Sequence, residues 1–352
     1  KKEFPFSVVC AALLLGLGIW GMVLDRVDGI LFCVIFVAFL LYMIFSARKA
    51  KENFDGDEET KKLLSNLFRH WAILFPSSYF GINKVDEDLQ AEYEAVQRTG
   101  LFDVIIFGYD DWFNKGKITL SKLPAERTVA IHRGWMMKPD QYEQFYNMLL
   151  DNNIELVTSP MDYASMHVFP NIYAAVKEDT AKMMVFPLHE DLPCEVLKHE
   201  FSRFMIKDYV KSVKGTDFPK YFDSTVAQDE LNRWMEVFYK YRGSLLTGGL
   251  CVKEYLDLKR YGDKTNEFRV FYINHEVATV SRNSEQMSMT MSPPGELIQK
   301  YRNLPSIYYT VDYAELSDGT WRVIEAGDGS VSGLSENQDY EAYYRALYIC
   351  FR

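Results

Sequence analysis

Two long uncharged apolar runs constrain the fold of this chain more than any other feature. The first run spans residues 4–24 and the second spans residues 29–46, with only the sequence DRVD between them. At about 1.5 Å of rise per residue, the first run would form a helix of roughly 30 Å, which matches the thickness of a bilayer core. The pair predicts a transmembrane helical hairpin within residues 1–50.

Cations flank the predicted hairpin and indicate its orientation. Lys1 and Lys2 precede it, and Arg48, Lys49 and Lys51 follow it, whereas the DRVD turn holds one base and two acids. Because cytoplasmic flanks are enriched in Lys and Arg, we expect a two-pass membrane protein with both ends in the cytoplasm. A signal peptide or two buried core helices are the alternatives, but the first run is long for a signal peptide and lacks a small-residue cleavage site.

The chain as a whole has the composition of a folded protein. The 352 residues are 48% hydrophobic and 25% charged, which is enough for a substantial core and more than one structural unit. The net charge of −10 argues against a protein that binds nucleic acid mainly by neutralising phosphates. Residues 51–62 are mostly charged, so we predict a linker over residues 51–69.

Short apolar strands alternate with helical segments over residues 70–190. Strands are predicted at 71–76, 102–107, 128–132 and 154–157, and helices at 86–100 and 139–152. This alternation predicts a small α/β domain with a mostly parallel sheet.

Longer strands, rich in β-branched and aromatic residues, follow in residues 191–352. They are predicted at 204–210, 249–258, 267–273, 276–281, 308–316 and 321–326. Asn274-His275 and Asp318-Gly319 suit tight hairpin turns between neighbouring strands. We therefore predict an α+β domain with antiparallel strand pairs.

Cationic side chains in these strands suit phosphate recognition. Lys207 leads from a strand into a loop that holds Lys211, Lys214 and Gly215, an arrangement able to bind a polyphosphate, although lysines also protect strand edges. Arg269 lies in an otherwise apolar strand, where a guanidinium needs an anion. A phosphate and a structural salt bridge to a neighbouring glutamate both meet that need.

The strand within residues 248–258 suits a nucleotide base. Its extended backbone can offer one carbonyl and one amide to an adenine edge, and Glu254 or Asp257 can accept ribose hydroxyls. Charges such as Lys253 and Glu254 are also common on the solvent face of ordinary strands, so both interpretations stay open.

Acidic side chains near the carboxyl end suit a divalent metal. If Asp318 and Gly319 form the turn, Asp312 pairs near Glu325, and Asp328 follows three residues later. Carboxylate oxygens are the ligands that Mg²⁺ prefers, together with phosphate and water. The alternative is neutralisation by cations such as Arg322.

In this order, these features resemble the ATP-grasp superfamily. The segments FPSSYF, HRGWMMKPDQY, SPMDYASMHVFPNIY, KDYVKS, GGLCVKEYLDL, NEFRVF and VDYAELSDGTWRVIEAGDGSVSGL look more closely like the ATP-grasp clade named after one arginine and two lysines. The resemblance covers the chain from about Leu74 onward. It implies an ATP-grasp fold of two α+β subdomains at residues 191–352, preceded by a small α/β pre-ATP-grasp domain.

The resemblance also implies a role for each matching residue. Lys207 would bind ATP phosphate, and Lys211 would support it or face the acceptor. Arg269 would contact the γ-phosphate. The implied hinge around adenine consists of Lys253, Glu254, Tyr255 and Leu256. The implied Mg²⁺ ligands are Asp312, Glu325 and Asp328.

The implied function is an ADP-forming carboxylate-amine ligase that uses Mg-ATP to activate a carboxylate as an acyl phosphate. The substrates would be a carboxylate and an amine, including a peptide or protein, and Arg133, Trp135 and His167 are candidates for recognising the acceptor. The membrane hairpin and the altered metal motif, Glu325-Ala-Gly-Asp328 in place of Glu-x-Asn, leave an alternative open. That alternative is a membrane-tethered ATP-binding sensor or scaffold without catalysis.

Overall fold

The computed structural model describes residues 70–351 except 80, 214, 284, 285 and 287–289. The predicted hairpin at 4–46, the linker at 51–69 and Lys214 lie outside the described residues. Among the residues that are described, no helix is both long enough and apolar enough to cross a membrane.

A five-stranded sheet is built by residues 70–156. Its strands are β1 (His70–Ser78), β2 (Gly81–Val85), β3 (Asp103–Phe107), β4 (Thr128–His132) and β5 (Ile154–Leu156). β1 pairs in parallel with β3 and β4, and β4 pairs in parallel with β5, whereas β2 is antiparallel to β1. The mostly parallel sheet is as predicted, and its central strands are continuously apolar because both faces are covered.

Helices connect and cover these strands. They are α1 (Gln90–Thr99), α2 (Tyr109–Lys115) and α3 (Pro139–Leu150). On one face, Tyr142, Phe145 and Leu149 of α3 pack with Ala72 and Leu74 of β1. On the other face, α1 buries Ala95 and Val96 against β1. The predicted alternation of strands and helices therefore accounts for the observed sheet with helices on both faces.

Two consecutive helices lead out of the first sheet. They are α4 (Pro160–His167) and α5 (Phe169–Val176). The side chain of Ser159 caps α4 by accepting a hydrogen bond from the Asp162 N–H, and Pro160 occupies the first turn. Ile172 and Val176 of α5 join the core beneath the last sheet of the chain.

A four-stranded antiparallel sheet follows. In spatial order its strands are β6 (Met183–Phe186), β9 (Leu250–Glu254), β7 (Arg203–Asp208) and β8 (Phe222–Asp223). α6 (Cys194–Glu200) and α7 (Gln228–Arg242) share its core cluster. β6 belongs to this sheet, although the predicted domain boundary of 190/191 assigned its residues to the preceding domain.

The last sheet is also antiparallel. Its spatial order is β13 (Glu276–Arg282), β12 (Glu267–Ile273), β14 (Tyr308–Glu315) and β15 (Trp321–Asp328). Asn274 and His275 form the β12–β13 turn with φ of 50° and 64°, as the predicted hairpin requires. A small hairpin of β10 (Arg260–Tyr261) and β11 (Lys264–Thr265) precedes this sheet, α8 (Gly295–Lys300) joins its core, and α9 (Tyr340–Phe351) contacts it.

Candidate active site

Three charged side chains form a row across the last sheet. Arg269 of β12 is the register partner of Asp312 in β14, and Asp312 is the register partner of Glu325 in β15. Register partners in adjacent strands point to the same face of a sheet. The Arg269 guanidinium donates from Nε and Nη2 to the two oxygens of Asp312 at 2.8 and 2.7 Å.

A lysine from the other sheet reaches this row. Lys207 Nζ in β7 lies 3.3 Å from Glu325 Oε1, and only 9% of the Lys207 side chain is exposed. Lys253 in β9 is also buried, and its Nζ donates to the Ile324 carbonyl at 3.1 Å. The two sheets therefore direct two lysines and one arginine toward two carboxylates.

The charged groups at this place shift one another's pKa values. Burial and the neighbouring Lys207 lower the pKa of Lys253 to about 7. For Glu325, whose side chain is still 48% exposed, partial burial raises the pKa, but Lys207, Lys253 and Arg269 outweigh it and lower the pKa to about 2. Two buried lysines that share one carboxylate are poised to accept a further anion.

A cleft of about 660 Å³ opens beside these groups, between the two antiparallel sheets. Apolar side chains of Ala181, Met205, Leu256, Leu258 and Ile324 line it together with polar ones. The lining includes most of the predicted site, namely Lys207, Lys211, Lys253, Glu254, Tyr255, Leu256 and Glu325. An apolar slot with convergent charges at one end suits a nucleotide, with its base in the slot and its phosphates at the cations.

The predicted hinge forms one wall of the cleft. Glu254 N–H donates to the Lys182 carbonyl at 2.9 Å, and Tyr255 N–H donates to the Arg203 carbonyl at 2.9 Å. Asp257, by contrast, is exposed and is not among the described residues that line the cleft. Glu267, which does line it, is a better placed carboxylate for ribose hydroxyls.

Asp328 lies apart from the other two predicted metal ligands. It stands three residues after Glu325 in the same strand, and side chains alternate between the faces of a strand. Asp328 is fully buried, Oδ1 accepts the Ser330 N–H at 2.9 Å, and burial raises its pKa to about 7. No group of three or more acidic, His or Cys side chains among the described residues is arranged around a metal.

A second, smaller cleft of about 270 Å³ adjoins the first. Lys211 lines both clefts, and the loop from Ser330 to Leu334 forms a wall of the second. Arg269 Nη1 donates to the Gly333 carbonyl at 2.9 Å, so the guanidinium connects the charged row to this loop. The second cleft therefore opens beside the phosphate end of the first.

The three candidate acceptor residues have different environments. Trp135 lines the second cleft, and its Nε1 donates to Asp86 Oδ2 at 2.9 Å. Arg133 is 1% exposed and is bound through two of its nitrogens to the carboxylate of Glu92, so its guanidinium is already committed. His167 is buried and stacks on Tyr163, and burial together with Lys211 lowers its pKa to about 4.

Several residues in or beside the cleft had no predicted role. Tyr221, Lys220 and Arg260 line the cleft from segments outside the predicted motifs. Phe169 lies beneath the lysines, with its ring centroid 4.0 Å from Lys253 Nζ. These contacts depend on the packing of distant segments. The one sequence feature that could have indicated them is the pair Lys220-Tyr221, a cation next to an aromatic residue in a loop between strands.

The residues fit a metal-bound triphosphate. Asp312 and Glu325 would supply the one or two carboxylates that Mg²⁺ usually takes from a protein, with phosphate and water completing its shell. When Lys253 is protonated, Lys207, Lys253 and Arg269 carry three positive charges against the two negative charges of these acids, and a bound polyphosphate would favour that protonation. The arrangement defines a nucleotide-binding site of the ATP-grasp kind.

Comparison with protein families agrees with this class. Residues 172–347, half of the chain, match the ATP-grasp domain of R2K clade family 3. The chain belongs to this family, as predicted from its motifs. The family carries with it the predicted class of enzyme, an ADP-forming ATP-dependent ligase of the carboxylate-amine type, and its cofactors ATP and Mg²⁺.

Solved structures share the fold at low sequence identity. The ATP-grasp ligase PsnB complexed with a minimal precursor has a TM-score of 0.53 at 11% identity, over 80% of this chain and 99% of that chain. D-cycloserine synthetase DcsG has 0.52 at 13%, over 80% and 99%. D-alanine–D-alanine ligase from Bacillus anthracis complexed with ATP has 0.50 at 13%, over 80% and 97%. A comparison with curated proteins gives no match.

Proposed function

We propose that the chain uses Mg-ATP to convert a carboxylate to an acyl phosphate and then joins the acyl group to an amine. The observation that carries this proposal is the row of Arg269, Asp312 and Glu325, met by Lys207 from the opposite sheet. Magnesium would be held by Asp312 and Glu325, and when bound it would neutralise charge on the phosphate oxygens. This pairing of acids and bases supports phosphoryl transfer to a carboxylate oxygen.

The residues of the site would act by binding and positioning. Lys207 and Lys253 would hold phosphate oxygens, and Lys211, which lines both clefts, would face the transferred group. Arg269 would stabilise charge on the γ-phosphate and on the acyl phosphate. In the present structure Arg269 is bound to Asp312, so this guanidinium would exchange one oxygen partner for another when the nucleotide binds.

The carboxylate and amine substrates would enter through the second cleft. It adjoins the charged row, and its walls combine Trp135, Met136 and Leu334 with the polar loop at Ser330 and Ser332. Among the similar structures, PsnB is complexed with a minimal precursor, and the Bacillus anthracis enzyme is a D-alanine–D-alanine ligase. A peptide or amino acid substrate for this chain is our proposal.

Product analysis tests this function. The full chain, incubated with Mg-ATP and mixtures of amino acids and peptides, is expected to form ADP and phosphate together with a new amide, detected by mass spectrometry. Formation of AMP would contradict the acyl-phosphate route. ATP binding with no turnover under any mixture would favour the alternative of an ATP-binding sensor or scaffold.

We further propose that the enzyme is anchored to a membrane, with its catalytic domain in the cytoplasm. The support is the hydropathy of residues 4–46 and the cations at both ends of that segment. The full chain is expected to sediment with membranes, to resist carbonate extraction and to dissolve in detergent. Release of the full chain by carbonate would contradict anchoring.

A further inference from the structure

Two tyrosines and an arginine form a cluster at the outer side of the nucleotide cleft. The guanidinium carbon of Arg203 lies 4.0 Å from the ring centroid of Tyr221 and 4.2 Å from that of Tyr255. The two tyrosine rings touch at an angle, with centroids 4.9 Å apart. These distances are typical of cation–π contacts and of tilted aromatic pairs.

The cluster joins three separate elements of the chain. Arg203 begins β7, Tyr221 directly precedes β8, and Tyr255 directly follows β9. The Tyr255 N–H donates to the Arg203 carbonyl at 2.9 Å, which fixes the hinge to the start of β7. Because Tyr221 ends the loop that carries Lys211, the cluster also fixes one end of that loop.

The tyrosines and the arginine face different surroundings. Tyr221 and Tyr255 line the cleft, whereas Arg203 is not among the described residues that line it. Tyr221 is 43% exposed, although its ring already contacts a guanidinium and another ring. The cation therefore holds the rings from behind and leaves part of Tyr221 open to the cleft.

The open part of Tyr221 lies where a nucleotide base would lie. The Tyr221 ring centroid is 4.9 Å from that of the hinge residue Tyr255, and the apolar side chains of Ala181, Met205 and Ile324 line the same cleft. A flat purine buries little of its outer edge in such a cleft unless another ring covers it. Stacking on an aromatic side chain is tolerant of base identity and contributes substantially to nucleotide affinity.

We propose that Tyr221 is a base-contacting residue that covers the outer side of the adenine ring, and that Arg203 is a positioning residue that holds the tyrosine in place. This inference rests on the proposed function, because it requires ATP in the first cleft. It adds an aromatic side chain from the β7–β8 loop to a base site that the hinge alone would otherwise define.

Binding calorimetry with two probes tests the assignment. Tyr221→Ala is expected to weaken ATP and ADP binding roughly tenfold, because the base loses its aromatic cover. Binding of inorganic tripolyphosphate, measured with the same Mg²⁺ concentration, is expected to change less than twofold. Tyr221→Phe is expected to bind all three ligands like the native protein, because the ring is kept.

Arg203→Met tests the positioning role in the same assay. It is expected to weaken ATP binding by a smaller factor than Tyr221→Ala and to leave tripolyphosphate binding unchanged. The matched control is Tyr241→Ala, which removes a tyrosine that is 47% exposed on α7 and is not among the described residues lining the cleft. Thermal unfolding of each variant shows whether the fold is retained.

Each outcome decides between the possible roles. Equal losses for ATP and tripolyphosphate in Tyr221→Ala would overturn the inference, since the tyrosine would then only anchor the phosphate loop. Native ATP affinity in Tyr221→Ala would overturn it as well. Failure of the native protein to bind ATP would remove the proposed function itself, which is a distinct result.

Discussion

Glu325→Gln is expected to reduce ADP formation by roughly a thousandfold, the largest loss of activity that we predict for a single substitution. Glutamine keeps the size of the side chain but removes the negative charge that the metal requires. The same change leaves Lys207 and Lys253 buried without their shared carboxylate. Steady-state measurement of ADP release at saturating Mg-ATP gives the size of the effect.

Metal dependence separates this role from a general loss of structure. Without metal, ATP is expected to bind Glu325→Gln at least as tightly as it binds the native protein. In the variant Lys207 and Lys253 have lost the negative charge of Glu325, and the ATP phosphates replace it. Added Mg²⁺ is expected to improve ATP binding in the native protein and much less in the variant. Glu195→Gln is the matched control, because that carboxylate is 90% exposed on α6. Native turnover with an unchanged Mg²⁺ requirement in Glu325→Gln would rule out Glu325 as a metal ligand.

The placement of Asp312 near Glu325 was predictable because local turn chemistry sets the register of a hairpin. Asp318 Oδ1 accepts the Thr320 N–H at 2.9 Å, and Gly319 has φ of 85°, a conformation that glycine adopts without strain. Counting from this turn, which pairs Glu315 with Trp321 and Tyr313 with Val323, would place Asp312 opposite Ile324. A register shift between Asp312 and Tyr313 brings Glu325 opposite Asp312 instead. The run of aromatic and β-branched residues predicted β12 with its observed bounds, Glu267–Ile273.

Asp328 shows where counting along the sequence was incomplete. Its proximity to Glu325 in the chain suggested a third metal ligand, but an odd separation within a strand turns a side chain to the opposite face. The β14–β15 pairing has a register shift between Asp312 and Tyr313. On β15 this shift lies before Glu325, so the side chains from Glu325 to Asp328 still alternate between the two faces. The odd separation of Glu325 and Asp328, which places them on opposite faces, could therefore be read from the sequence.

Other parts of the site depend on contacts between distant segments. Phe169 meets Lys253 because α5 packs on the last sheet, where Lys253 of β9 reaches the Ile324 carbonyl of β15, and no local pattern encodes that contact. β6 pairs with β9 across more than sixty residues of chain, so its sheet was not evident from the alternation of strands and helices. Tyr221 lies beside Arg203 and Tyr255 only through tertiary packing, so its place next to the base site was not evident from the sequence.

Arg133→Met is expected to lower the free energy of unfolding by about 3–5 kcal/mol, because it leaves a buried carboxylate without its cation. Arg133 donates to both oxygens of Glu92 at 2.9 and 2.8 Å, and the two side chains are 2% and 6% exposed. Arg133 Nη1 also donates to the Gly329 carbonyl, directly after β15. This ion pair thus links the first sheet to the end of the strand that carries Glu325.

Two companion variants distinguish the cost of an unpaired charge from a simple loss of packing. The double variant Glu92→Gln with Arg133→Met removes both charges, so it is expected to recover part of the stability lost in Arg133→Met alone. Arg127→Met, which breaks the exposed pair with Glu155, is expected to cost less than about 1 kcal/mol. Denaturant unfolding followed by tryptophan fluorescence measures all three changes. If the double variant were no more stable than Arg133→Met, the unpaired Glu92 carboxylate would not be the source of the loss, and the role of Arg133 would instead lie in its contacts with Gly329 and Tyr308.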